Sequence, residues 1–578
     1  MQKTMTNIRP FLWIALGLTL FLNYQMWQRD YAPPPGSATP AGTAAPKVDL
    51  DAAAPVITAP AEGAAATAAN GVATDAVPVV DPAAGGAAAT AASAAAPASA
   101  GTLRVVTDVL NVEISLRGGE IVGVTLPKYP LKKDQPDVPV RLERNGGPDD
   151  IYVLQSGLAG PANAVRPTHL ATFTSEFEEF KLVEGLEELR VPMTWTSDDG
   201  VTVTKTFVFH RGNYRIDLEY AVKNESNAPW DAASYAQIKH ETPVIERSYF
   251  NPATYAFEGP AIYDGTKYRK LKIDDSDDAR FRQGITHGWL AALQHHFASA
   301  IVPPADAQYQ YSLTAAGHQY LASMVGPMRT VAPMSTATFN ETLFIGPKLQ
   351  HQLDDIHPEL SRVADYGKLT FLAKPLFLVL EFIHKAVGNW GVAIILTTFC
   401  IKLLFYPLSE ASGKSMARMK TLGPRMKQLQ ETYKDDREKL GRAMMDLYKR
   451  EKVNPAAGCL PILIQFPVFI AWYWVLIESV EMRQAPFFGW LTDLSSPDPF
   501  FILPVIMAGA MFLQYKLQPT PADPVQAKVF MILPFVMSAT FVFFPSGLVL
   551  YWVTNTILTI AQQWNINRRI EAAAARRK

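Results

Sequence analysis

The chain has 578 residues, of which 48% are hydrophobic and 19% charged, and a formal net charge of −1, enough material for several domains. A balance so close to zero excludes a chain that binds nucleic acid through global basicity. The only cysteines, Cys400 and Cys459, both lie in apolar runs, which excludes a disulfide-stapled architecture.

Lys3 and Arg9 precede an apolar stretch from Phe11 to about Trp27, and no small-residue cleavage site follows it. Residues 1–30 therefore read as an uncleaved signal anchor, a transmembrane helix with its start on the cytoplasmic side. Residues 31–100 are dominated by Ala, Pro, Gly and Thr. So few large apolar groups do not offset chain entropy, and the segment reads as a disordered tether.

From residue 101 the pattern becomes alternating. Val112, Ile114 and Leu116 alternate with Glu113 and Ser115, and Ile216, Leu218, Tyr220 and Val222 alternate with Asp217, Glu219 and Ala221. Period two is the signature of half-buried strands. The run from Val201 meets the next strand through His210-Arg211-Gly212-Asn213, a connection of hairpin length. Repetition of such units predicts a large all-β sandwich over residues 101–350.

Residues 369–387 carry Leu372, Leu376, Val379, Phe382, Ile383 and Ala386 at helical spacing, with Lys374, Glu381, His384 and Lys385 opposite. That pattern predicts an amphipathic interfacial helix; a helix packed on the sandwich is the alternative. Five candidate spans follow within 388–566, at about Gly388–Leu408, Gly458–Glu478, Pro499–Lys516, Val529–Pro545 and Gly547–Ile566. With the N-terminal anchor they predict an all-α polytopic core of six transmembrane helices. The loop 410–455 holds 12 basic against seven acidic residues, and 567–578 form a basic tail, so both are expected in the cytoplasm. Counting crossings then puts the β-domain outside and the C-terminus inside.

In the basic loop, Met416, Met419, Met426, Leu429 and Tyr433 form one stripe, and Leu440, Ala443, Met444, Leu447 and Tyr448 a second. The two predict a helical hairpin, its methionines either adaptable contacts or a packing seam. Arg437, Lys439 and Arg442 lie on its second arm.

Lys402 sits deep in the first span of the core, where a charge costs roughly 2.5 to 3.5 kcal/mol and so faces protein or water, or snorkels to an interface. Thr397, Thr398, Gln465, Gln514, Thr554, Asn555 and Gln562 share the spans with it, predicting either a wet cavity or separate interhelical hydrogen bonds. No Asp or Glu lies deep in a span to pair with Lys402. Motifs for nucleotide hydrolysis, zinc proteolysis and serine hydrolysis are absent from the sequence. His287, His295 and His296 fix no ligand geometry, so neither a metal nor a cofactor is expected.

The segments YPL from Tyr406, VNPAAGCLPILIQFPVF from Val453, VEMRQAPF from Val480, DPVQAKVFMILP from Asp523 and FPSGLVLYW from Phe544 together resemble the YidC-type membrane protein insertases of Gram-negative bacteria. The resemblance implies an insertase and chaperone without catalytic residues or covalent chemistry. It implies a periplasmic supersandwich like that of sugar mutarotases, and a five-helix core around a hydrophilic groove holding Lys402, Thr398, Gln465, Gln514 and Asn555. Lys402 stands where many relatives have Arg, which keeps the charge but loses the bidentate fork. Tyr551, Trp552 and Phe469 fall at positions implied to meet the substrate, with Trp552 in place of a frequent Tyr. Implied partners are nascent membrane proteins, the Sec translocon, the ribosome and signal recognition machinery, and the phospholipid bilayer, with no sequence-specific nucleic acid. A membrane-anchored glycan-binding or glycan-processing protein remains the alternative, and a solute transporter is disfavoured by the lack of internal repeats.

Overall fold

The computed structural model describes residues 101–575 apart from 148–149, 162–163, 244–255, 434–435, 452–459 and 518–523. The expected N-terminal anchor, the tether and residues 576–578 lie outside the described residues, as does the side chain of Arg437.

Strands from Thr102–Val106 to Ser335–Pro347 assemble into a twelve-stranded and an eight-stranded sheet, almost wholly antiparallel. The alternation read from the sequence explains why they share one core. Ile216, Leu218, Tyr220 and Val222 of the Arg215–Asn224 strand are at most 1% exposed and pack with Leu154 and Ile238 of the other sheet. Gly212, at φ 68°, makes the turn that sets Ile216 opposite Phe209.

Period two also carries a lysine inward. Val201, Val203, Phe207 and Phe209 line the core face of the Val201–His210 strand, and Lys205 occupies the same face, fully buried. Its ammonium donates to the carbonyls of Gly118 (3.0 Å), Gly119 (2.8 Å) and Ser156 (3.0 Å), using every N–H it has. Burial still pushes its pKa down to about 7, against the pull of Glu120 and Glu341.

The helices are α1 (Gln350–Ile356), α2 (Thr370–Val387), α3 (Trp390–Leu404), α4 (Tyr406–Thr421), α5 (Gly423–Thr432), α6 (Arg437–Arg450), α7 (Leu460–Glu478), α8 (Ile502–Leu517), α9 (Pro524–Phe541) and α10 (Ser546–Ala575). In α2 the buried line is Ala373, Phe377 and Leu380, flanked by half-buried Leu372, Leu376 and Ile383. Val379 and Phe382 of the expected apolar stripe are exposed, together with Phe371 and Leu378. The helix thus has apolar groups on both its packed and its free sides. Gly388, at φ 68°, ends α2, and Asn389 starts α3 by accepting from the Val392 N–H at 3.0 Å.

The first expected span of the core is broken. α3 and the start of α4 meet at Phe405 with a bend of 66°, where Tyr406-Pro407 begins a new helix because proline has no N–H for the preceding turn. Among the described residues no single helix is long and apolar enough to cross a membrane, while this bent pair has the length and composition to do so. α10 runs on past the fifth expected span, so residues 567–575 of the basic tail are helical, with Arg568 over the Trp564 ring at 5.5 Å.

α5 and α6 face each other in the basic loop. Tyr448 donates to Met426 Sδ at 3.4 Å, and Arg425 pairs with Glu451. Asp436 caps α6 by accepting from the Lys439 N–H at 3.0 Å. Met426 is 7% exposed, so at this position the methionine stripe is a packing seam.

Candidate functional site

α10 carries Trp552, Asn555, Thr559 and Gln562 at spacings of three, four and three, which stacks them on one helical face. That helix packs against α3, α4 and α8. Across from it, Lys402 is half-buried near the end of α3, and its Nζ donates to Thr559 Oγ1 at 2.9 Å. Thr559 Oγ1 in turn donates to the Asn555 carbonyl at 2.6 Å. With its own proton committed, the Thr559 oxygen acts purely as an acceptor for the ammonium. Two of the three Lys402 protons remain available, and no acidic group pairs with it among the described residues.

Thr397 and Thr398 are at most 1% exposed and donate to the Ala393 and Ile394 carbonyls at 2.7 and 2.6 Å. Thr398 therefore lies one turn from Lys402 with its hydrogen already spent on its own helix. Gln465 on α7 and Gln514 on α8 are half-buried, and neither hydrogen-bonds Lys402. The three expected substrate contacts converge. Phe469 stacks on Tyr551 at 6.2 Å and meets Trp552 edge-on at 5.1 Å, while Trp472 lies 5.8 Å from Tyr551 and Phe541 5.5 Å from Trp552. Among the described residues Trp472 Nε1, Trp552 Nε1 and Gln562 Nε2 are buried donors with no partner. The result is an aromatic wall beside a donor-rich polar stripe.

Thr559 was not singled out from the sequence, although it stands four residues after Asn555 on the same face. On α6, Lys439 and Arg442 are exposed and hold local ion pairs with Asp436 (3.0 Å) and Glu438. Such exposed pairs are worth little energetically, so the charges stay free to meet a partner. His295 and His296 stack at 3.8 Å, and His295 Nε2 lies 3.1 Å from the Ile477 carbonyl, joining the sandwich to α7. Among the described residues no cluster of three or more His, Cys, Asp or Glu side chains is arranged to hold a metal.

Residues 102–379 match the family model of the YidC periplasmic domain, and residues 382–573 that of the 60Kd inner membrane protein. The membrane protein insertase YidC of Thioalkalivibrio sulfidiphilus is 44% identical over 594 residues, covering 98% of this chain and 99% of the relative. The insertase of the same name from Methylococcus capsulatus is 47% identical over 487 residues, covering 83% and 88%. A crystal structure of an active YidC insertase with its first transmembrane domain resolved covers 80% of this chain and 91% of its own, at 19% identity and a TM-score of 0.36. With two family models in tandem and near-full-length relatives well above 40% identity, the chain belongs to the YidC family of membrane protein insertases, inner membrane proteins with a periplasmic β-domain.

Proposed function

We propose that this insertase receives an apolar segment of a nascent membrane protein at the α5–α6 hairpin and lowers its short polar tail toward Lys402 and the polar face of α10. The apolar segment then leaves sideways into lipid. The observation that carries the proposal is the half-buried ammonium held by Thr559, with no carboxylate among the described residues to neutralise it. In a medium of reduced dielectric such a charge attracts acidic tail residues far more than it would in water. Donors that lack partners at Trp552 and Gln562 offset part of the tail's lost hydration. Transfer of the apolar segment itself supplies the driving force, so neither covalent chemistry nor nucleotide hydrolysis is required.

In this reading the core comprises five spans, with α3 and α4 jointly forming the first, and an N-terminal anchor makes the sixth. Loop charges support cytoplasmic N- and C-termini. Lys439 and Arg442, with Arg437 beside them in sequence, suit a phosphate-rich partner such as the translating ribosome, and the Sec translocon is a partner for some clients. We assign Gln465 and Gln514, half-buried on α7 and α8, to the same polar path. The glycan-enzyme alternative is not favoured, because the full-length relatives are insertases and their match extends through the whole helical part.

The test is insertion of a client with an acidic translocated tail by Lys402→Ala and Lys402→Arg variants. Arg is expected to retain insertion and Ala to lose most of it. Normal insertion of such clients by the Ala variant would remove the charge from the mechanism.

A further inference from the structure

A cleft of about 680 Å³ opens where the sandwich meets the helical core. One wall is the Leu131–Asp134 turn of the sandwich with the stacked His295 and His296. The other is formed by the end of α7, the loop from Arg483 to Pro497, and the α9–α10 tip. Phe488, Phe500, Phe501 and Phe543, between 38% and 66% exposed, cluster in sequence around this loop and tip. These exposed rings give the rim of the cleft an apolar surface.

The charges in the cleft are unequally committed. Both oxygens of Asp493 are occupied by the Gln484 and Ser495 N–H groups and the Ser495 and Ser496 hydroxyls, at 2.7 to 3.0 Å. Arg483 spends its guanidinium on the Pro130 and Leu131 carbonyls at 2.8 and 3.0 Å, and Lys133 ties the turn to the Thr492 carbonyl. Lys132 is exposed and forms no ion pair among the described residues. His296 Nδ1 is buried without a partner. Burial holds His295 at about 4 and His296 well below its ordinary value, with Lys348 and Arg483 adding to the effect, so both rings are neutral at pH 7. The glutamate backbone at Glu478 engages the His296 ring, which leaves Nδ1 as a bare acceptor.

We infer that this cleft holds the headgroup of a phospholipid: Lys132 takes the phosphodiester, His296 Nδ1 accepts from a hydroxyl or ammonium of the head, and Leu476, Ile477 and Phe543 cover the glycerol and first methylenes. A lysine at the rim, an acceptor at depth and an apolar wall along α7 and the α9–α10 tip suit that amphiphile better than a wholly polar ligand. Such a lipid would bridge the sandwich to α7, the helix that carries Phe469 and Trp472.

The test uses the full chain in detergent, stripped of lipid, titrated with dioctanoyl phosphatidylglycerol and followed by native mass spectrometry. Lys132→Glu and Phe543→Ser change exposed side chains, and thermal unfolding checks that each variant stays folded. The expected result is one tight lipid site on the unaltered chain, weakened at least tenfold by either substitution, and little binding of glycerol 3-phosphate alone. Equal lipid affinity in all three proteins overturns the inference. Binding of glycerol 3-phosphate as tight as the lipid would make it a soluble-phosphate site, and displacement of the lipid by a glutamate-rich peptide would make it a peptide-docking surface; either result also overturns it.

Discussion

Replacing Thr559 with valine preserves the shape of the side chain and deletes the single oxygen that receives Lys402. A hydrogen bond to a charged group is worth roughly 1.5 to 3 kcal/mol, so the fraction of molecules with the ammonium held against α10 should fall by about ten- to a hundredfold. The Asn555 carbonyl keeps its helical bond, and α10 should stay intact. Insertion of a radiolabelled client into proteoliposomes, read by protease protection, separates the consequences. A client with two acidic residues in its translocated tail should insert at least about fivefold more slowly, a lower bound on that population change. The same client with an uncharged tail should insert as before, and Thr559→Ser should restore the acidic client. An unimpaired acidic client in a folded Thr559→Val protein would show that the position of the ammonium does not matter, and the reasoning from geometry to attraction would fail.

Glu143 is fully buried, accepts from the Ser299 hydroxyl and leaves its second oxygen unpartnered; burial raises its pKa to about 7. Between about pH 4.5 and 7 the folded state therefore holds a proton at Glu143 that the unfolded state has lost, and this group alone should lower the folding constant by up to about tenfold per pH unit as pH rises, in addition to the like-shifted Glu120 and Glu341. Glu143→Gln should flatten that slope in denaturant titrations of the full chain, and a slope equal to the unaltered protein's would refute the assignment. Charge reversal at Lys439 and Arg442 should weaken cosedimentation with translating ribosomes several-fold at low salt and leave α6 helical, since only exposed local pairs are lost. Unchanged cosedimentation would shift the role of the hairpin to client contact.

Much of the β-domain was legible because a strand's period is short and its register unforgiving. Once Ile216 through Val222 face inward, their neighbours must face out. The same rule puts Lys205, which lies in step with Val203 and Phe207, on the buried face, against the usual exposure of lysine. Only the fold supplies the three carbonyls that make its burial tolerable. In the helical part, Lys402 announced itself by its cost in an apolar run. Its partner did not, because the bond spans 157 residues and threonine is an unremarkable residue in such helices. The break at Phe405 was signalled by Pro407 yet masked by unbroken hydrophobicity through Leu408. On α2, apolar groups occur on both the packed and the exposed sides, so periodicity alone does not say which side meets the protein.

The central claim is that the charge at position 402 selects the tail of the client, and a charge exchange tests it most directly. Insertion rates would be measured for the unaltered chain and Lys402→Glu, each with two versions of one client whose translocated tail carries either two aspartates or two lysines. The account predicts an inversion, in which the unaltered protein prefers the acidic tail and Lys402→Glu prefers the basic one. Loss of both clients in equal proportion, or an unchanged preference for the acidic tail, would contradict it.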